Sequence, residues 1–345
     1  MIKVFFRVDA NSKSASGHVT RCLTIADALS RKNAMCEFIV ADMQSTFLIE
    51  RSGYPVTVLC SEYNRMEKEI GKLISVIEDK KIELLILDSY FITEAYVEQL
   101  SRYTKIIYLN DIFELPLSVD MIISYGNISN RIDYEKIYRG HQKKPYVLMG
   151  RKYTPLRKEF ENCICVMKEQ VSDILVTVGG ADENCFLQDM ILALEDMDSF
   201  NFHIVVGVYN KSIKKIRAIS DKRTNILVYE HCNDISRLMQ NCDVAVSAGG
   251  TTIYELCAVG TPTICVSSAQ NQRGLVTEMN NRGLMIYAGD VTSDKEKTIE
   301  NIRKEIIMLA NDYKERCRLS ACMREFVDGS GADRIVGKIL EVFKD

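Results

Sequence analysis

Asp243-Val-Ala-Val-Ser-Ala-Gly-Gly-Thr-Thr-Ile-Tyr-Glu255 reads as a buried strand that passes through a glycine turn into a helix. Val244 to Val246 is a short apolar run bounded by small residues, the pattern of a central parallel strand. Gly249 and Gly250 allow backbone N–H groups to approach a ligand. The helix behind them supplies unpaired N–H groups and the positive end of its dipole. Ser247, Gly249, Gly250, Thr251 and Thr252 are therefore candidates to hold a phosphate. A second glycine-bearing turn, Ser16-Gly17-His18, follows the first strand of the chain and carries an ionisable ring.

Outward from this stretch, strand and helix signals alternate almost throughout. The first half offers strands at 2–8, 35–40, 56–59, 84–87, 105–109, 121–123 and 146–149, with helical patterns at 17–31, 63–79 and 94–102. The pattern restarts after Phe160, with strands at 174–178, 202–206, 226–228, 244–246 and 263–266. Helices are expected there at 184–194, 212–219, 234–241, 252–259 and 272–282, then two more at 295–311 and 312–326 and a last one to Val342. Such alternation predicts an α/β fold with mostly parallel sheets. We expect two Rossmann-like domains facing across a cleft, residues 1–155 and 156–345, with the last helix able to pack back on the first domain. In open α/β sheets ligands bind beyond the carboxyl ends of the strands, where every glycine turn noted here lies.

The bulk composition narrows the classes. The chain has 345 residues, 47% hydrophobic and 26% charged, with a net charge of -3, which describes a globular protein and not a generic nucleic-acid binder. Its twelve cysteines are scattered without a Cys-x-x-Cys pair, as expected of reduced core residues. Its four histidines, His18, His141, His203 and His231, show no ligand spacing, and no metal is expected. Met1 to Arg7 is too short an apolar run for a signal peptide, and no stretch of about 18 apolar residues exists. A cytoplasmic protein without stable membrane insertion is expected.

Individual residues carry chemistry at several of the turns. His18, in the first turn of a helix, reads either as a general base for water or as a helix-capping side chain. Asp88 and Tyr90 close one buried strand and Asn110-Asp111 the next. Either aspartate orients His18, grips a sugar hydroxyl or simply forms the turn. Gly179-Gly180-Ala-Asp182 is a phosphate or sugar site, or a tight turn with Asp182 as cap. Thr252-x-x-Glu255 is either a capping box or a helix whose Glu255 holds ribose hydroxyls. Asn271-Gln272 donates to a substrate or forms an ordinary polar loop. Neither the dinucleotide fingerprint nor a Walker sequence nor a nucleophile elbow is present.

Tyr229-Glu-His-Cys-Asn-Asp-Ile, Ser247 to Glu255, Gly260-Thr-Pro262 and Asn271-Gln272 resemble the UDP-binding half of MurG-type GT-B proteins. Arg7-x-Asp9, Gly17-His18-x-x-Arg21, Leu87-Asp88-x-Tyr90, Asn110-Asp111, Tyr153 to Phe160, Val178 to Asp182 and Asp328 to Arg334 resemble a narrower group. That group is the PseG-like UDP-sugar hydrolases of pseudaminic acid biosynthesis, with the related SpsG-type spore-coat polysaccharide proteins. The resemblance implies metal-independent hydrolysis of UDP-2,4-diacetamido-2,4,6-trideoxy-β-L-altropyranose to UDP and free sugar, with no cofactor. On that footing His18, Asp9, Asp88 and Tyr90 are catalytic. Gly17, Arg21, Arg157, Gly179, Gly180, Asp182, Asn271 and Gln272 join Ser247 and Gly249 to Thr252 in holding the UDP-sugar. Glu255 takes the ribose, and backbone near Tyr229 to Cys232 reads the uracil. Ala15 and Ser89 depart from the usual glycine and histidine of that group. The competing reading is a GT-B glycosyltransferase that passes a UDP-amino sugar to a surface-polysaccharide acceptor.

Overall fold

The computed structural model describes residues 2–343, apart from 11–15, 111–114, 127–131, 180–181, 183, 208–209, 231 and 233. The chain forms two compact units, Met1–Arg157 with Ser330–Asp345, and Lys158–Gly329. In the first unit the elements run β1 (Lys3–Val8), α1 (Gly17–Ser30), β2 (Met35–Val40), α2 (Thr46–Arg51), β3 (Val56–Val58), α3 (Ile70–Lys80), β4 (Leu84–Asp88), α4 (Glu94–Leu100), β5 (Lys105–Leu109), β6 (Met121–Ser124), α5 (Tyr134–Ile137) and β7 (Tyr146–Met149). The second unit contains β8 (Asp173–Thr177), α6 (Phe186–Ala193), β9 (Asn201–Val206), α7 (Ile213–Ser220), β10 (Ile226–Glu230), α8 (Ile235–Asn241), β11 (Val244–Ala248), α9 (Thr252–Val259), β12 (Thr263–Ser267), α10 (Arg273–Asn281), β13 (Ile286–Asp290), α11 (Lys295–Asn311) and α12 (Tyr313–Phe326). The closing helix α13 (Gly331–Phe343) returns to the first unit, where Asp333 pairs with Arg31 of α1 at 2.8 Å and Arg334 donates to the Lys152 carbonyl.

Both sheets are parallel. Their orders are β3-β2-β1-β4-β5-β6-β7 and β10-β9-β8-β11-β12-β13. Each winds outward from its first strand in one direction and then in the other, so each has one switch point, between β1 and β4 and between β8 and β11. The central strands are apolar along their length because helices cover both faces. Leu84 to Asp88 and Val244 to Ala248 are buried at every position. In the first unit Phe5, Leu85, Leu87 and Ile106 pack with Leu73, Ile77, Tyr96 and Leu100 of α3 and α4. In the second, Ile174, Val176, Val244 and Val246 pack with Phe186 and Met190 of α6 and Ile302 and Ile306 of α11.

Two local differences from the periodicity have physical causes. The helix expected from Tyr63 begins as a single 3-10 turn at Met66–Glu69 before α3 starts. Glu69 is drawn inward there, its carboxylate taking Nε (2.7 Å) and Nη2 (2.9 Å) of the buried Arg7, Ser61 Oγ (2.6 Å) and Tyr96 OH (3.0 Å). β13 was not among the expected strands: the apolar run Leu284 to Ala288 leads into it, but it is a sheet edge that ends in Gly289-Asp290, and four of its five residues are only half-buried. All twelve cysteines are free thiols, but the core position expected of them holds for only six; four are half-buried, and Cys60 and Cys185 are exposed.

Candidate active site

β1 and β4 end side by side, with Val8 opposite Asp88 in the register, so whatever follows β1 meets the end of β4 at the switch point of the first sheet. His18 is the second residue of α1 and lies 8% exposed. Its Nδ1 is 2.6 Å from Asp88 Oδ1. Arg21, on the next turn of the same helix face, grips the same carboxylate with Nε to Oδ2 at 2.6 Å and Nη2 to Oδ1 at 2.5 Å. Burial alone raises a carboxyl pKa, but Arg21 and then His18 reverse this and hold Asp88 well below the usual carboxylate range.

An ionised Asp88 only accepts, so the short contact places the ring proton on Nδ1. Arg21 Nη2, 3.1 Å from Nδ1, then lies beside the ring without donating to it. In its neutral form the ring has its lone pair on Nε2, which has no hydrogen-bond partner among the described residues. Tyr90, just past β4, sets its ring edge-on to the imidazole at 4.5 Å between centroids. His18 is therefore not a helix cap; its ring is held by a carboxylate in the manner of an oriented base.

Asp88 is the carboxylate that orients His18. Asp9 is committed elsewhere, with Oδ1 accepting from Ala41 N at 2.7 Å and Oδ2 from Arg7 at 2.5 Å. Asn110, buried after β5, donates to Tyr134 OH at 2.7 Å. Asp111 and Ala15 lie outside the described residues. Gly17 opens α1, Ser89 accepts from Phe91 N at 3.1 Å, and Arg157 is half-buried at the end of the first unit's main segment. Tyr125, at the end of β6, accepts from Arg21 Nη1 at 2.8 Å. No motif marked that residue, because its place beside Arg21 depends on strand order.

In the second unit Ser247 lies opposite Thr177 in the register, so the turns after β8 and β11 share that sheet's switch point. Gly249 is required by packing: a Cβ there would stand 2.2 Å from Val276 Cγ1. Its N–H is used within the sheet, donating to Val266 O at 2.9 Å, and Gly250 N–H turns to Ala248 O at 2.8 Å. Neither glycine N–H points to a ligand in this arrangement. The N–H groups of Thr251 and Thr252 find no acceptor among the described residues, as the first turn of a helix dictates. At this turn the two threonine N–H groups, and not those of the glycines, are the donors left for an anion, with open space around Gly250.

The Thr252-x-x-Glu255 capping box does not form. The helix starts at Thr252 itself, after Thr251, whose side chain makes no cap bond, and Glu255 is half-buried in the first turn. Gln272 Oε1 accepts from Ser268 N (2.9 Å) and Oγ (3.1 Å), which orients its amide, while Asn271 is exposed. Ser247 is buried and donates to the Ala248 carbonyl. Gly179 turns at φ +83, and Gly180 lies outside the described residues. Asp182 is the turn carboxylate of the alternative reading: both its oxygens accept from the α6 N-terminus, at 2.9 Å from Phe186 N and 3.0 Å from Leu187 N. Tyr229 hydrogen-bonds His203 at 2.9 Å, and His203 in turn meets Asp173 at 2.9 Å; His231 in the expected uracil-reading stretch lies outside the described residues.

Residues 173–327 match the glycosyltransferase family 28 C-terminal domain. The chain is 22% identical over 346 residues to the spore coat polysaccharide biosynthesis protein SpsG of Bacillus subtilis, covering 97% of each. It is 26% identical over 285 residues to a UDP-2,4-diacetamido-2,4,6-trideoxy-beta-L-altropyranose hydrolase of Campylobacter jejuni, covering 82% of this chain and 97% of the other. Among solved structures, MurG of Acinetobacter baumannii superposes with a TM-score of 0.70 at 11% identity, covering 99% of this chain and 100% of that one. The chain has the GT-B fold of two parallel-sheet α/β domains, and its residues 173–327 are similar to the C-terminal domain of glycosyltransferase family 28.

Proposed function

We propose that the protein hydrolyses a UDP-linked 2,4-diacetamido-2,4,6-trideoxy sugar to UDP and the free sugar. The observation that carries this reading is the His18–Asp88 pair, an imidazole held at Nδ1 at a sheet switch point, with no partner for Nε2 among the described residues. The similarity to the Campylobacter jejuni hydrolase supports the substrate class. In the reaction, water gives a proton to His18 Nε2 while its oxygen bonds to the anomeric carbon. The bond from that carbon to the UDP oxygen breaks, and its electron pair leaves with UDP. Asp88 stabilises the imidazolium that forms and does not itself take the proton. Within the second unit, the Thr251 and Thr252 N–H groups and the α9 dipole suit a diphosphate, and Glu255 is the residue proposed for the ribose.

A second reading replaces water by an acceptor hydroxyl, so that the sugar is transferred. It is favoured by similarity to SpsG along nearly the whole chain and by the family 28 match. Both readings use His18 in the same way. The test is UDP release from a panel of UDP-linked 2,4-diacetamido sugars and UDP-GlcNAc, with purified protein, EDTA and no acceptor. Hydrolysis predicts release without acceptor, lowered by about 10²–10⁴-fold in His18→Ala with UDP affinity retained. UDP binding without release overturns hydrolysis in favour of transfer.

A further inference from the structure

Arg21 belongs to the segment that sequence similarity connects with substrate, yet its surroundings describe another task. Its guanidinium is 6% exposed and all three nitrogens are engaged. Nε and Nη2 form the fork on Asp88, and Nη1 donates to Tyr125 OH at 2.8 Å. The Tyr125 ring also lies 5.6 Å from the guanidinium carbon. We infer that Arg21 is a positioning residue that fixes and charge-balances the His18–Asp88 pair, that Tyr125 fixes Arg21 in turn, and that neither acts as a UDP ligand. This inference rests on the reading of His18 as the base.

The physical need for Arg21 follows from Asp88. A lone buried carboxylate beside an imidazole favours the imidazolium, and a protonated ring cannot accept a proton from water. Among the described residues, the groups facing His18 and its carboxylate are Arg21 and Cys22 on α1, Asp88 at the end of β4, Tyr90 beyond it and Tyr125 after β6. Among these, Arg21 alone brings positive charge. With Arg21 in place, Asp88 and the guanidinium neutralise one another while the ring is uncharged, so Asp88 orients Nδ1–H without claiming a second proton for the ring. The fork occupies both carboxylate oxygens and fixes the plane in which Oδ1 meets Nδ1. Tyr125 comes from the strand two places beyond β4 in the sheet, so the chain Tyr125–Arg21–Asp88–His18 ties the base to three elements of the sheet edge.

The experiment compares Arg21→Met, Arg21→Lys and Tyr125→Phe with wild type in two readouts. The first is the imidazole NMR titration of His18 in the ligand-free protein, assigned with His18→Ala. The second is the pH profile of kcat/KM together with the Kd for UDP. Arg21→Met is expected to move the His18 titration midpoint and the acid limb of the profile to higher pH by about one unit or more, with UDP affinity within about twofold. Arg21→Lys keeps the charge without the fork, so its midpoint stays near wild type while kcat falls. Tyr125→Phe lowers kcat by roughly 2–10-fold with KM little changed. An unmoved midpoint in Arg21→Met, or a UDP Kd weakened by about tenfold or more with an unchanged profile, overturns the inference. If Arg21→Met fails to fold, the opposed effects of Arg21→Lys on midpoint and on kcat decide it. If wild type turns over no UDP-sugar, the functional reading fails, whereas the NMR titration still decides the role of Arg21.

Discussion

Substituting the two adjacent glycines one at a time separates packing from ligand binding at the turn after β11. A Cβ on Gly249 would lie 2.2 Å from Val276 Cγ1, 3.3 Å from Gln272 Cβ and 3.4 Å from the Val266 carbonyl oxygen. Carbon atoms in contact prefer about 3.5–4.0 Å, so Val276 has to retreat by more than about 1 Å. It is fully buried in α10 and β-branched, so a rotamer change does not relieve the clash and the helix itself must shift. Overpacking of this kind costs about 1–3 kcal/mol. At roughly 2–4 °C per kcal/mol for a unit of this size, Gly249→Ala should lower the melting temperature of the second unit by roughly 2–12 °C. Gly250 has nothing within 4 Å of its Cβ direction, so Gly250→Ala should cost less than about 1 kcal/mol. Its new methyl does fill part of the open space at the turn before α9, and if the diphosphate sits there UDP affinity should fall about tenfold. Calorimetric unfolding and UDP titration provide the readings. Equal loss of stability in both variants, or a Gly249→Ala protein that melts with wild type, refutes the packing argument.

Two further outcomes follow from the buried ions of the first unit. The folded Asp88 carboxyl is held below its ordinary range, so its contribution is fully present above the unfolded value of about 3.9 and is lost as pH falls towards the folded one. Asp88→Asn should therefore cost roughly 3–5 kcal/mol near neutral pH, by stranding Arg21, with a deficit that shrinks below about pH 4; a deficit independent of pH in acid unfolding contradicts this. Arg7→Met and Glu69→Leu should each destabilise strongly while the double variant loses much less than their sum, because the fork at 2.7 and 2.9 Å is fully buried. A double-mutant cycle in urea that gives no coupling refutes the pairing.

Much of the fold was legible because burial on both faces of a parallel strand leaves a local signature. Val244 to Val246, Leu84 to Leu87 and Ile174 to Val176 are apolar without alternation, and they are the strands beside the two switch points. The edge strand β13, Ile-Tyr-Ala-Gly-Asp, ends in glycine and aspartate and is mostly half-buried, and it was not among the expected strands. The 3-10 turn before α3 was equally hidden, because the force that shapes it is the pull of Arg7 on Glu69 across 62 residues of chain.

The candidate site divides along the same line. Local chemistry marked His18, Asp88 and the turn from Ser247 to Glu255, since glycines, a strand end and a helix start are all read within a few residues. Which aspartate holds the imidazole was open until the register set Val8 beside Asp88 and the Arg7 pair occupied Asp9. The turn at Asp182 read as a phosphate or sugar site or as a tight turn with Asp182 as cap, and its oxygens are found on the α6 N-terminus. Gly249 looked like a phosphate contact, and only the tertiary fold showed that α10 leaves no room for a side chain there. The sequence determined which elements form and which residue types stand at their ends, because those follow from short-range periodicity and turn chemistry. Strand order and helix packing decided which of those ends meet, because partners such as His18 and Asp88 or Arg21 and Tyr125 are separated by 70 and 104 residues.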